Sequence, residues 1–415
     1  MGLFGLELKR VLKGRLTWGL LALALVLSVV LAYLPTTYCA SSYTDEQGNQ
    51  INVTGWASIA YEKERQSEAA GLATPDRVRG AVEAYQEVLR RYGVTESYDL
   101  PQGIYEAEIL PIAPLLHGVK EAFADPNTGM APSLMEIRPE QINGYFSVCQ
   151  ARISSLMKQE MPDCPAAQEK AAEMYRQVEK PFAVYPGFSS NGMDYQNMLS
   201  FLVLLFCTVI AAPIFSAAYQ SGADDILRCT KYGRGRLGVV KLLAMLCISA
   251  VAFGLCTLVY ILVSNSLFGW ETTKTSIQML YSIVTLVEMD LGQLQEAFAL
   301  GGLLSLLAAV SFTLFLSAKC RSVVTALAVA LVFCIAPVVV YMILPGEVAT
   351  WICTLLPASG VGLQTSLLYA LTDFQFLHLG SWALWTPYAM VGAYCIEIPL
   401  FLCLALRAYT KHRIG

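Results

Sequence analysis

Six long apolar runs interrupt this chain, at 16–34, 198–218, 242–262, 297–318, 323–344 and 385–408. Each is long enough to cross roughly 30 Å of hydrocarbon as a helix, the one open structure that satisfies its own backbone polar groups there. The pattern predicts an all-α polytopic membrane protein with six transmembrane helices. A further run, 349–370, is uncharged and of similar length, but Pro357, Gly360 and Gly362 interrupt it. It reads as a re-entrant or outer-leaflet broken helix, because irregular backbone is tolerated at that depth only where protein or a cavity covers it. Pro213 and Pro337 fall inside the second and fifth runs, where a proline can kink a helix.

Between the first two runs the character changes. Residues 35–197 carry 13 Lys/Arg and 22 Asp/Glu and no long apolar stretch, which predicts a soluble domain. Thr74-Pro75-Asp76 has the form of an N-cap followed by a proline at the first helical position. Val78, Ala81, Tyr85, Val88, Leu89 and Tyr92 then share a face, and Gly93 stops the helix. Pro139 opens a second helix whose stripe is Ile142, Tyr145, Phe146, Cys149, Ile153, Leu156 and Met157. The domain is expected to be mostly helical. Cys149 and Cys164 could close a short disulfide loop worth about 3 kcal/mol, or stand as free thiols.

The placement of charge orients the runs. Lys9, Arg10, Lys13 and Arg15 precede the first, and Arg228, Lys231, Arg234, Arg236 and Lys241 lie in or just after the loop between the second and third. Lys319 and Arg321 separate the fourth and fifth, and Arg407, Lys411 and Arg413 close the chain. By the positive-inside rule both termini are cytoplasmic and the 35–197 domain is extracellular. Residues 1–15 form an amphipathic segment, with Leu3, Phe4, Leu8, Val11 and Leu12 opposite Lys9, Arg10 and Lys13, as an interfacial helix requires. The first run resembles a signal peptide in its basic start, but its length and Tyr38 at the would-be cleavage site favour an uncleaved anchor.

Composition narrows the function. Hydrophobic residues make up 55% of the 415 and charged ones 14%, and the formal charge is −4, so a bilayer is the natural solvent and nucleic acid is not an expected partner. His117, His378 and His412 are far apart and no Cys pair has zinc spacing, so no metal is expected. The carboxylate pairs Glu62/Glu64 and Glu106/Glu108 lack a supporting His or Ser motif and read as solvated faces. Asn52-Val53-Thr54 is a sequon, a triplet common by chance. No GxxxxGK[ST] occurs, so the chain does not cradle nucleotide phosphates in the P-loop manner and is not expected to be an enzyme.

The loop 219–241 carries the most information. It reads YQSGADDILRCTKYGRGRLGVVK, polar and basic in its second half, with a short helix expected around Asp224 to Cys229. Its order resembles the permease subunits of ABC type-2 exporters, in the Gram-positive branch with a large domain between the first two spans. The matching positions are Phe215, Tyr219 and Gly222, then Ile226 and Leu227, then Thr230, Lys231, Tyr232, Gly233 and Arg234, and Lys241 opening the third span. Ser317-Ala318-Lys319 is similar to the family's end of span four. Ala218 stands where the family usually has glutamate, which puts an acid-mediated contact in doubt.

The resemblance implies a bacterial cell-membrane permease working as a homo- or heterodimer with a separate cytoplasmic ABC ATPase, which would hold ATP and Mg. This chain itself would bind no cofactor. The cargo class implied is a peptide, drug or lipid. The ATPase-coupling loop would comprise Tyr219, Gly222, Asp224, Asp225, Arg228, Thr230, Lys231, Tyr232, Gly233, Arg234, Arg236 and Lys241. A permease-like sensor that binds a ligand through the 35–197 domain is the alternative reading. Within the spans, Glu397 before Pro399 is the acid placed deepest in hydrocarbon, where a charge costs at least about 2.5 kcal/mol. It reads either as a pathway or gating residue or as a neutral, hydrogen-bonded acid.

Overall fold

The computed structural model describes residues 2–411 apart from 46, 48, 230–232, 234, 345 and 381. An amphipathic helix α1 (Leu3–Leu12) turns at Gly14 into α2 (Arg15–Tyr33), the first of six helices long and apolar enough to cross a membrane. The chain is therefore a multi-pass, predominantly helical membrane protein. Next comes a polar domain of mixed short elements. A hairpin of β1 (Ala40–Thr44) and β2 (Gln50–Thr54) leads to α3 (Trp56–Arg65), β3 (Gly71–Leu72) and α4 (Pro75–Tyr92). Three short turns, α5 (Gln102–Ile104), α6 (Ala113–Leu116) and α7 (Val119–Ala122), precede α8 (Tyr145–Glu160), α9 (Pro165–Gln177) and β4 (Ala183–Val184).

Local chemistry accounts for these boundaries. Thr74 accepts a hydrogen bond from the Arg77 N–H, Pro75 fills the first turn, and Gly93 at φ +68° closes α4 in the left-handed region that favours glycine. Val78, Ala81, Tyr85, Val88 and Leu89 are buried as the stripe requires, whereas Tyr92 is exposed because the helix leaves the core in its last turn. Pro139 begins a 3₁₀ turn, Pro139–Gly144, and the α-helix proper starts at Tyr145. The domain adds the β1–β2 and β3–β4 pairs to its helices, two short antiparallel ladders that the helical periodicity did not announce.

The second span is α10 (Asn191–Ala211) followed at Pro213 by α11 (Pro213–Gln220). A six-residue helix, α12 (Ala223–Arg228), lies in the loop before α13 (Gly235–Phe268). Then come α14 (Leu291–Lys319) and α15 (Val323–Ile343), the latter continuing through Pro337. The broken segment is α16 (Glu347–Leu355), two 3₁₀ turns and α17 (Leu367–Thr372). A hairpin of β5 (Phe376–Leu379) and β6 (Trp382–Trp385) feeds α18 (Thr386–Lys411).

Polar side chains pin the spans to one another. Asn265 on α13 and Gln295 on α14 exchange reciprocal amide hydrogen bonds of 2.9 and 3.0 Å, both side chains being buried. The segment 269–290, which the apolar pattern left without a role, is the mount of the polar domain. Ser276 N–H donates to Ala183 O and Tyr185 N–H to Thr275 Oγ1, the Tyr175 hydroxyl reaches Ile283 O at 2.9 Å, and Glu121 accepts from Ser282 Oγ and Ile283 N–H. Lys63 adds an ion pair to Glu271 and a bond to Phe268 O. One apolar core runs without interruption from α4, α8 and α9 into the adjoining ends of α14, α17 and α18.

Replacing Asn265 with Leu leaves a buried Gln295 amide unpaired and should lower the thermal stability of the detergent-solubilised protein by about 1–3 kcal/mol. The Asn265→Leu/Gln295→Leu double variant should recover much of that loss. A double-mutant cycle on thermal denaturation measures the coupling.

Candidate functional site

The basic ends of the spans converge beneath the loop between α11 and α13. Pro213 has no N–H to give and its ring crowds the preceding turn, so the hydrogen-bond ladder of the second span is interrupted there while Ala212 keeps helical angles and the span runs on as α11. In a low-dielectric interior the groups freed by such a break need partners. Ser317, on the last turns of α14, supplies them. Its Oγ donates to Ala212 O at 2.6 Å and accepts from the N–H groups of Phe215 at 3.0 Å and Ser216 at 3.2 Å. Ser216 Oγ donates to the same Ala212 carbonyl. One serine of the fourth span thus holds the bend of the second.

Around this joint the sequence-predicted loop residues divide. Tyr219 donates its hydroxyl to Ala318 O, and Gly233 O accepts from the hydroxyl of Tyr409 on α18 at 3.0 Å. Lys241 is buried, with its ammonium 5.3 Å from the Phe215 ring centre, 5.7 Å from that of Tyr409 and 3.5 Å from Ile214 O. The Phe215 and Tyr409 rings are themselves 4.9 Å apart. Gly238 lets α13 approach α18 closely, because a Cβ there would stand 2.8 Å from the Tyr409 ring. Phe215, Ser317 and Tyr409 therefore join Tyr219, Gly233 and Lys241 in one cluster that ties α11, α13, α14 and α18 together.

Gly222 takes φ +71° to turn the chain into α12. Asp224 and Asp225 occupy its first turn, the electropositive end of a helix, with Asp224 buried and Asp225 exposed. Arg228 ends α12 and Arg236 sits exposed in the first turn of α13. Thr230, Lys231, Tyr232, Arg234 and the Arg228 side chain lie outside the described residues, as do His412 and Arg413. Ile226, one of the matched positions of the loop, is 74% exposed on α12. A large apolar side chain presented on a short helix is the kind of anchor a partner's groove accepts.

The other end of the spans holds a polar cavity of about 380 Å³ walled by α15, α16, α17 and the start of α18. Thr350, Thr354, Ser366, Tyr369, Asp373 and Thr386 line it. Burial holds the Asp373 carboxyl above its usual range, against hydrogen bonds from Phe374 N–H and Gln375. Tyr369 also donates to Asp194 on α10 at 2.8 Å. The density of hydroxyl and amide residues over 350–375, in a run without a charge before Asp373, was the sequence signal for this cavity. Glu397 lies elsewhere, on α18 between Tyr394 and Pro399, with its Oε2 enclosed and without a hydrogen-bond partner among the described residues.

Cys149 and Cys164 are separate buried thiols rather than a disulfide. Burial pushes the Cys149 thiol up to about 12, against the hydroxyls of Tyr175 and Tyr145 beside it, because a thiolate in that core loses its hydration.

Ser317→Ala strips the cap from the bend and should speed hydrogen exchange over 214–220 in the solubilised protein, with a stability loss of about 1–3 kcal/mol. Exchange mass spectrometry reads both the site and the extent. Cys149 should resist alkylation at about pH 8 in the folded protein, since the neutral thiol is not the nucleophile. After denaturation without reductant Cys149 and Cys164 should both be labelled, which peptide mass analysis checks.

No protein-family model and no curated protein matches this chain, so its own residues and geometry carry the functional reading.

Proposed function

We infer that this chain is the membrane permease of an ABC-type exporter, moved by a separate cytoplasmic ATPase that docks against α12. The observation that carries the reading is the joint at Pro213. The helix α11 that leads into α12 is held by Ser317 of α14, by Lys241 of α13 and by the Phe215–Tyr409 ring contact to α18, and Gly233 beyond α12 accepts from Tyr409. A push on α12 reaches α11 directly through the turn at Gly222, and from α11 the contacts lead to α13, α14 and α18. Coupling between distant sites needs such a contiguous element with two arrangements, and a proline break capped from a neighbouring helix is a hinge of that kind.

The basic residues at this end support an orientation with the loop and both termini in the cytoplasm and the 35–197 domain outside. The P-loop is absent from the sequence, so the energy comes from a partner. The polar cavity beside α16 and α17 lies at the opposite ends of the spans, where an exported molecule would leave. Its hydroxyl and amide lining and its size suit part of an amphipathic cargo such as a peptide or drug.

The native thiol of Cys229 is exposed in the loop next to α12, so a membrane-impermeant maleimide added to intact cells should leave it unlabelled until the membrane is opened. Labelling in intact cells reverses the orientation. With orientation established, Ile226→Glu should weaken binding of the co-expressed P-loop ATPase to the solubilised permease by roughly tenfold or more, as loss of an interface anchor does. Unchanged affinity removes α12 as the docking element.

A further inference from the structure

A second basic feature lies at the same end of the spans and takes no part in the joint. Lys319 is the last residue of α14, Arg321 follows in the link to α15, and Arg407 and Lys411 stand one turn apart on α18. All four line one cavity of about 620 Å³. None has a carboxylate partner among the described residues. Like charges at i, i+4 repel along a helix, and here two further cations from the neighbouring chain segments face the same space. An arrangement of this kind is stable when an anion enters it.

The rest of the lining says what sort of anion. Phe315 lies four residues before Lys319, about 6 Å further into the bilayer, and Leu404 lies three before Arg407, about 4.5 Å further in. Since α14 and α18 both run toward this end, the cavity has a cationic rim at headgroup level and an apolar floor of Phe315 and Leu404 beneath it, with Ala318 and Ala408 between the cations. That polarity gradient runs along the membrane normal. An inorganic anion would use the rim alone; a molecule with phosphate at one end and hydrocarbon at the other uses both.

We propose that the cavity between the basic ends of α14, α15 and α18 is a binding site for an anionic phospholipid, its phosphate held by Lys319, Arg321, Arg407 and Lys411 and its acyl chain laid on Phe315 and Leu404. Basic pockets between helices at the membrane surface hold such headgroups by charge, with affinity set by how many cations converge. The site is independent of the ATPase reading, because it needs only a bilayer containing anionic lipid. A lipid seated there would bridge α14 to α18, the two helices that also flank the Pro213 joint.

Native mass spectrometry of the full chain from micelles with equimolar phosphatidylglycerol and phosphatidylcholine tests this. The wild type should retain phosphatidylglycerol preferentially, and the Lys319→Gln/Arg321→Gln/Arg407→Gln/Lys411→Gln variant should lose that preference roughly tenfold. Arg407→Gln/Lys411→Gln alone, which leaves the α14–α15 link intact, should show an intermediate loss. Lys9→Gln/Lys13→Gln, which removes two cations from α1 at the same membrane level, should leave the preference unchanged. Retention equal to wild type in both cavity variants overturns the site. Displacement of the lipid by millimolar glycerol 3-phosphate identifies a free-phosphate site and overturns the lipid. So does loss of a co-expressed ATPase from the cavity variants while lipid retention stays the same, which makes the rim a protein contact.

Discussion

The backbone of a membrane protein has no water to fall back on, and that constraint decides where this chain is allowed to bend. A proline in the second span removes one donor and displaces the turn before it, which in solution would cost a little and in hydrocarbon would leave several polar groups stranded. Here the repair is shared between Ser216 of the same helix and Ser317 of its neighbour. Ser317 gives its proton to Ala212 O and takes those of Phe215 and Ser216, so the polar groups at the proline are satisfied partly by α14. A hinge repaired within its own helix would flex alone. This one makes the second and fourth spans a mechanical pair.

The same constraint shapes the other end, with the opposite outcome. The broken segment between α15 and α18 carries irregular backbone, and its polar groups are met partly by its own turns and partly by side chains from neighbouring spans. Ser305 donates to Pro357 O, Asn197 to Leu363 O, and the hydroxyls of Ser359 and Tyr394 share a hydrogen bond of 2.9 Å. Gly360 is required by that closeness, because a Cβ would stand 2.7 Å from the Tyr394 hydroxyl. The polar domain is then fixed to the adjoining 269–290 segment by backbone and side-chain bonds and by a shared apolar core. The domain end is thus clamped at many points, while the basic end is held through the cluster around Phe215, Ser317, Lys241 and Tyr409.

The sequence made the six apolar helices legible because hydrocarbon thickness is a length requirement that few other structures meet. Helix α4 was equally plain, since Thr74, Pro75 and Gly93 mark its ends by local chemistry. What composition hid was of two kinds. The β1–β2 and β3–β4 ladders are short and draw their stability from contacts far along the chain, as Gly71 pairing with Val184 illustrates. The Ser317 cap is a single hydroxyl whose importance depends on a proline a hundred residues earlier. Cys149 and Cys164 show the converse failure: a spacing compatible with a bond says nothing about two thiols that the core keeps apart. Glu397 remained ambiguous from sequence because an acid beside a proline is consistent with either a satisfied or an unsatisfied carboxyl.

The charges that orient a membrane protein are usually treated as a tally, yet the positions they occupy here are not equivalent. Arg10 pairs with Glu7 within α1, and Lys241 is drawn into the core against two aromatic rings, where its charge serves packing between α11 and α18. Lys319, Arg321, Arg407 and Lys411 share neither fate and instead surround an open space. Positive charge at a membrane surface is cheap when it faces water and counter-ions, and costly when several such charges are held together over apolar side chains. The first two arrangements relieve that cost inside the protein; the third leaves its relief to the bilayer, and so makes the lipid beside α14 and α18 part of what holds the basic end together.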